Sequence, residues 1–293
     1  MKPAPFEYVR AASVEQACAQ LAADEGARLI AGGQTLVPLM AMRLARPTRL
    51  IDIARIPDLS FIREEGNSVI IGAATRQCVV EADPLVKSRL PLLAKAMPYV
   101  GHPATRSRGT IGGSLANADP AAEIALVAVT LGATLVYQNG AARHELPAAG
   151  FFLGPMVTAL PSTACLVAVR FPVWKEHRLG VGFEEVNARR SDFAFASAAA
   201  QIAFDDDGVC KSLAIGIGAA AAVPLRLNAV AEALVGQRID DRNVRAAVEE
   251  AAAGIEPMSD LHASADYRRR AAAALAVRAI LSANHTALGR HAD

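Results

Sequence analysis

Apolar residues fall into a helical rhythm at Val14, Ala17, Cys18 and Leu21, and Ser13 followed by Gln16 marks a capping box ahead of them, so a packing helix is predicted that ends at Gly26. Arg28–Ala31 reads as a buried strand, a Gly-Gly turn leads into Leu36–Met40, and Leu50–Ile53 forms a second strand. Phe61–Ala73 is a hairpin turning at Glu65-Gly66-Asn67, and Thr75–Val100 is helical with breaks at Pro84, Pro91 and Pro98. A helix over Pro120–Leu131, with Asp119 as its N-cap, precedes strands at Ala133–Tyr137 and Cys165–Phe171, the first turning at Asn139-Gly140.

The rhythm changes across Pro172–Arg178, which is charged and carries the only tryptophan. Three strands follow at Gly180–Ala188, Phe195–Phe204 and Val209–Gly218, the last two joined through Asp205–Gly208. Helices over 226–235, 240–253 and 266–285 complete the chain. The predicted class is α+β: a two-lobed domain over 1–175, with lobes of about 1–55 and 56–175, then a domain over 176–293 built from an antiparallel three-stranded sheet and a helix bundle.

Two stretches carry candidate chemistry. Gly32-Gly33-Gln34-Thr35 follows a strand, and RGTIGGSLANADPAAE runs from Arg108 to Glu123. Paired glycines let a ligand approach main-chain N–H groups, which suits an anion, although a capped turn of the same composition serves purely structural ends equally well. Neither stretch has the three-glycine dinucleotide fingerprint or a P-loop lysine, so a diphosphate would rest on amides and on the hydroxyls of Thr35, Thr110 and Ser114. Arg106 and Arg108 are either anion contacts or solvated braces of the loop.

With 30 basic and 29 acidic residues the chain has no electrostatic footprint for nucleic acid, and its longest apolar run, Ile124–Tyr137, is too short for a membrane span. The first residues show no signal peptide, so a cytoplasmic address is expected. Cys18, Cys78, Cys165 and Cys210 stand singly and read as small buried hydrophobes, and the six histidines lack metal spacing. No nucleophile–base pair is evident, so no catalytic residue is assigned and any chemistry is borrowed from a cofactor.

AGGQTLVPLM over 31–40 together with GTIGGSLANADPAAE over 109–123 resembles the FAD-binding medium subunit of the molybdenum hydroxylases, the xanthine dehydrogenase and aerobic carbon monoxide dehydrogenase family, along the whole chain. The resemblance implies a PCMH-type fold holding FAD through Ile30, Ala31, Gly32, Gly33, Gln34, Thr35 and Leu36 of the first loop. It implies the same for Thr110, Ile111, Gly112, Gly113, Ser114, Asn117, Asp119 and Glu123 of the second. Gly101 and Leu166 match flavin-lining positions, and Phe193 in Arg189-Arg190-Ser191-Asp192-Phe193 is a candidate to lie against the isoalloxazine.

This chain has Glu123 where the family commonly has Asp, Gln34 where it often has His, and Glu185 where many relatives place a lysine near the flavin. Dipole compensation at the helix start is the competing reading of Glu123. The resemblance further implies a molybdopterin-binding large subunit and a [2Fe–2S] small subunit as partners, assembled as a dimer of heterotrimers, with electrons passing through FAD to an external acceptor. The cysteine-bearing loop that some relatives use for a [4Fe–4S] cluster is absent. A free-standing flavoprotein oxidase or reductase and a flavin-free scaffold are the alternatives.

Overall fold

The computed structural model describes residues 2–289. The first lobe contains β1 (Glu7–Arg10), α1 (Val14–Ala23), β2 (Arg28–Ile30), α2 (Leu36–Ala41) and β3 (Arg49–Asp52), with a parallel sheet ordered β1-β3-β2. Ser13 Oγ accepts from Gln16 N at 3.2 Å, while Gln16 Oε1 accepts from the amide of Ala12, one residue earlier than a capping box requires. Val14, Ala17, Cys18 and Leu21 are the buried face. β2 corrects the expectation of a buried strand: it is a sheet edge, half-buried at Leu29 and Ile30 and exposed at Arg28.

The second lobe runs through β4 (Ile62–Glu65), β5 (Ser68–Gly72), α3 (Gln77–Ala82), α4 (Pro84–Arg89), α5 (Pro91–Ala96), α6 (Pro103–Arg106), α7 (Ile111–Asn117) and α8 (Glu123–Leu131). It continues with β6 (Thr134–Asn139), β7 (Ala142–Pro147), α9 (Ala148–Phe151), β8 (Phe152–Gly154), β9 (Val157–Thr158) and β10 (Ala164–Pro172). Pro84 and Pro91 open α4 and α5, where a missing N–H costs nothing, and Asp83 Oδ1 caps α4 by accepting from Leu85 and Val86.

The antiparallel sheet is ordered β4-β5-β10-β6-β7, with β10 at its centre. A bulge between Leu166 and Ala168 shifts the alternation of β10 by one residue. Cys165, Val167 and Ala168 consequently face the core shared with α1, while Leu166, Val169 and Phe171 face the helices.

The remaining chain forms β11 (Arg178–Val186), β12 (Ala196–Phe204), β13 (Cys210–Gly218), β14 (Leu225–Arg226), α10 (Asn228–Leu234), α11 (Asp241–Ala252) and α12 (Ala265–Ala287). The sheet β11-β12-β13-β14 is antiparallel, so the three expected strands gain a two-residue fourth at the edge. Every residue of α8 is buried. This helix lies between the two sheets, against α5 and β10 on one side and β12 and β13 on the other. No helix among the described residues is long and apolar enough to cross a membrane.

Candidate functional site

β2 ends at the first glycine loop. Gly32 is there because of space: a Cβ would overlap the Arg108 carbonyl oxygen and stand 2.8 Å from Gly109 Cα, so the two motifs touch main chain to main chain. Gly33 takes a left-handed φ of 71°. The turn into α2 closes through Val37 N to Gly33 O at 3.0 Å and Leu39 N to Thr35 O at 3.1 Å. Among the described residues the amides of Gly33, Gln34 and Thr35 have no protein acceptor, and the Thr35 hydroxyl caps nothing. Three unengaged donors in sequence are therefore available to an outside acceptor.

The second motif departs from the expected loop. Gly112 and Gly113 lie inside the first turn of α7, whose N-cap is Thr110: its Oγ1 accepts from Gly113 N at 3.0 Å. Ile111 N donates to Thr75 O at 3.1 Å and Gly112 N to Ala73 O at 2.8 Å. These amides serve the fold, so the donors expected of the second glycine pair are already used. A Cβ on Gly112 would stand 2.7 Å from Ala73 Cα, so the glycine lets α7 lie flat on the end of the sheet.

Asp119 is not the N-cap of α8, and Pro120 lies outside the helix. Ala118 adopts a left-handed conformation at φ 51°, and Asp119 closes the turn that follows, its Oδ1 accepting from Ala121 N at 2.9 Å. The helix starts at Glu123 because that turn is held from elsewhere, by Met156 N on Ala118 O and Ala219 N on Pro120 O.

Arg106 is buried rather than solvated. Its Nε and Nη2 meet Glu81 at 2.7 and 3.1 Å, and Nη1 donates to the carbonyls of Val100 and Gly101. It is thus a brace for the Gly101 segment and no anion contact. Arg108 is exposed, and its carbonyl accepts from Arg76.

Between the two motifs lies a cavity of about 570 Å³. The expected residues of the first loop line it, as do Gly101, Leu166, Phe193 and all those of the second motif except Ile111, which is fully buried. Glu185 is also outside: it lines a neighbouring cavity of about 440 Å³ with Lys95, Tyr99, Asn187 and Arg190. Ser191, at φ 71°, borders both cavities. Phe193 is 74% exposed at the margin.

Sequence reasoning missed Gln77, which is 5% exposed on the cavity wall with an Oε1 that has no partner among the described residues, along with Leu160 and Ala73. Nothing in the local sequence around Gln77 signals this. It enters the site through its amide bond to Gly109 O and the pairing of Arg76 with Thr110.

Burial pushes the Glu123 carboxyl up to about 8, and the nearby charges of Glu185 and Asp119 add to the rise against a bond from its own amide. Burial likewise pushes Glu185 up to about 7. Its Oε1 accepts from Asn187 Nδ2 at 2.8 Å, and Oε2 has no partner among the described residues. No group of three potential metal ligands occurs among the described residues. Cys18, Cys165 and Cys210 are buried, Cys78 is half-buried, and burial pushes the Cys165 thiol up to about 12.

Two family models match the chain: the FAD binding domain in molybdopterin dehydrogenase over residues 4–174, and the CO dehydrogenase flavoprotein C-terminal domain over 182–283. The 6-hydroxypseudooxynicotine dehydrogenase complex subunit alpha of Paenarthrobacter nicotinovorans is 35% identical, over 98% of this chain and 97% of its own. Among solved structures, carbon monoxide dehydrogenase of Hydrogenophaga pseudoflava superposes with a TM-score of 0.93 at 36% identity, covering all of both chains. Quinoline 2-oxidoreductase of Pseudomonas putida 86 gives 0.92 at 36% identity over 99% of each.

Proposed function

The chain belongs to the FAD-binding medium subunits of the molybdenum hydroxylase family and is an oxidoreductase component; on that premise we propose that it holds one FAD in the cavity between its glycine motifs and passes electrons from the [2Fe–2S] clusters of a small subunit to an external acceptor. A molybdopterin-binding large subunit completes the proposed assembly, as a dimer of heterotrimers. The proposal divides the chain at about residue 175 and puts the assembly in the cytoplasm, where four unpaired thiols are at home.

One observation carries the reading. The unengaged amides of Gly33, Gln34 and Thr35 open onto a largely apolar cavity of the size a dinucleotide needs. An anionic diphosphate fits those amides, and a flavin ring fits walls such as Leu166 and Ala122. Bound FAD takes up one or two electrons, which lets it join single-electron clusters to a two-electron acceptor. The chain's own part is positional. Thr110 and Arg106 fix the walls, Gln77 presents an unpaired oxygen, Glu123 puts a carboxyl that burial pushes up on the cavity wall, and Glu185 stands at the neighbouring cavity.

Titrating purified protein with FAD tests the reading through quenching of flavin fluorescence. One equivalent is expected to bind, to give a yellow protein that oxidises no substrate alone and co-purifies with a larger and a smaller chain when all three are expressed. A protein that takes up no flavin even beside its partners would sink the proposal. Turnover by the isolated yellow chain would point to a free-standing oxidoreductase.

A further inference from the structure

Glu123 sits where a carboxylate is hard to keep ionised. It is the first residue of a fully buried helix, is 9% exposed, and lines the cavity. Its own amide is the one protein group near it that favours the anion, and among the described residues no side chain donates to its carboxyl. The charges around it have the wrong sign to hold an anion: Asp119 from the preceding turn and Glu185 from β11, with Asp192 farther along the wall. Arg28, the only arginine or lysine lining the cavity among the described residues, belongs to the β2 edge and gives its Nη1 to the carbonyls of Glu25 and Ala27, and His102, exposed, is the other basic side chain of the wall. Lys95 and Arg190 are exposed, and Tyr99 is half-buried, around the neighbouring cavity beside Glu185.

A helix N-terminus favours a carboxylate, but weakly, whereas burial without a counter-charge disfavours one strongly. The neutral acid has a different demand. It carries an O–H for which the protein supplies no acceptor among the described residues, on a wall that faces the cavity. The same wall in its ionised form would repel a diphosphate and any electron-rich ring edge.

We propose that Glu123 is held as a neutral acid that donates a hydrogen bond to FAD, so that cofactor binding is linked to the proton it carries. This rests on the FAD reading above and adds to it the direction of the hydrogen bond and a pH dependence.

The test is the Kd of FAD for the full chain between pH 6 and 9.5, by fluorescence quenching, for wild type, Glu123→Gln, Glu123→Ala and Glu185→Gln. Wild-type Kd should be flat at the acid end and rise above about pH 8 toward tenfold per pH unit, with one proton taken up per FAD bound. Glu123→Gln keeps a donor without a charge and should bind like the acid form at every pH, whereas Glu123→Ala should bind more weakly throughout. Glu185→Gln removes a like charge and should move the break to lower pH. Infrared spectra of the apoprotein should show, at neutral pH, a protonated carboxyl component that Glu123→Gln removes and Glu185→Gln retains.

A wild-type Kd that does not change with pH, or a slope that persists in Glu123→Gln, overturns the proposal. Failure of every variant and of wild type to bind FAD is a different result and removes the cofactor reading itself.

Discussion

Replacing Gly32 by alanine probes whether the two motifs act as one unit. The added Cβ would stand 2.8 Å from Gly109 Cα and closer still to the Arg108 carbonyl oxygen, where ordinary contact begins at 3.4 Å. Relieving the first overlap alone needs a movement of 0.6 Å, the difference between those distances. The opposing atoms are main chain and cannot rotate away: Gly109 O accepts from Gln77 N at 2.9 Å, and the Arg108 carbonyl is engaged by Arg76.

Overpacking of this kind costs about 1–3 kcal/mol. If the first loop yields, its three free amides shift and the cost falls on binding, raising the FAD Kd by about 5- to 150-fold. If the loops hold, the cost falls on the fold and lowers Tm by about 2–4 °C per kcal/mol. Flavin fluorescence reads the first and calorimetry of the apoprotein the second. Gly154→Ala, where an added Cβ meets nothing within 4 Å, is the control. A Gly32→Ala protein with both Kd and Tm unchanged would refute the argument that the loops are pressed together around a ligand.

Arg106→Met removes both bonds to Glu81 and strands the Val100 and Gly101 carbonyls, and should cost about 2–4 kcal/mol in urea unfolding; a loss below about 1 kcal/mol would mean water replaces the guanidinium. Glu185→Lys exchanges a carboxyl for a cation beside the site and should raise the flavin midpoint potential, measured above pH 7 where the native carboxyl is ionised; no upward shift would show that the side chain does not reach the flavin's field. The apoprotein should lose stability as pH rises from about 4.5 toward 8, because folded Glu123 keeps a proton that the unfolded carboxyl releases. Folded Glu185 acts in the same sense up to about 7, so Glu123→Gln should remove part of that decline in denaturant midpoints, most clearly between about pH 7 and 8, and an unaltered decline would assign it to other groups.

The regular elements were legible where the code is local. α1 shows its cap and its buried face directly in the sequence, and the prolines of α4 and α5 mark helix starts. The strand at 28–30 was readable but its edge position was not, since apolar side chains there face a cavity as easily as a core. The glycine pair at 112–113 misled because glycine signals a turn locally, while here Gly112 answers a contact with Ala73 made across the fold and Gly113 lies in the helix against the Thr110 side chain. Asp119-Pro120 carries every mark of a helix start, yet two bonds from distant segments hold it as a turn. The burial of Arg106 depends on Glu81, on another helix, and no spacing rule links them. That the cavity residues nonetheless came together follows from motif resemblance, which carries tertiary information that periodicity lacks.

α8 has one further consequence. Because the helix is covered by β10 and α5 on one side and by β12 and β13 on the other, cutting the chain between Pro172 and Arg178 would strip it on one flank and bare a nonpolar rod. The two sequence modules are therefore not interchangeable parts. A chimera that grafts the C-terminal half of a relative onto this N-terminal half must also carry over the residues of 124–131 that meet the foreign strands, or the hybrid will aggregate before it can bind anything.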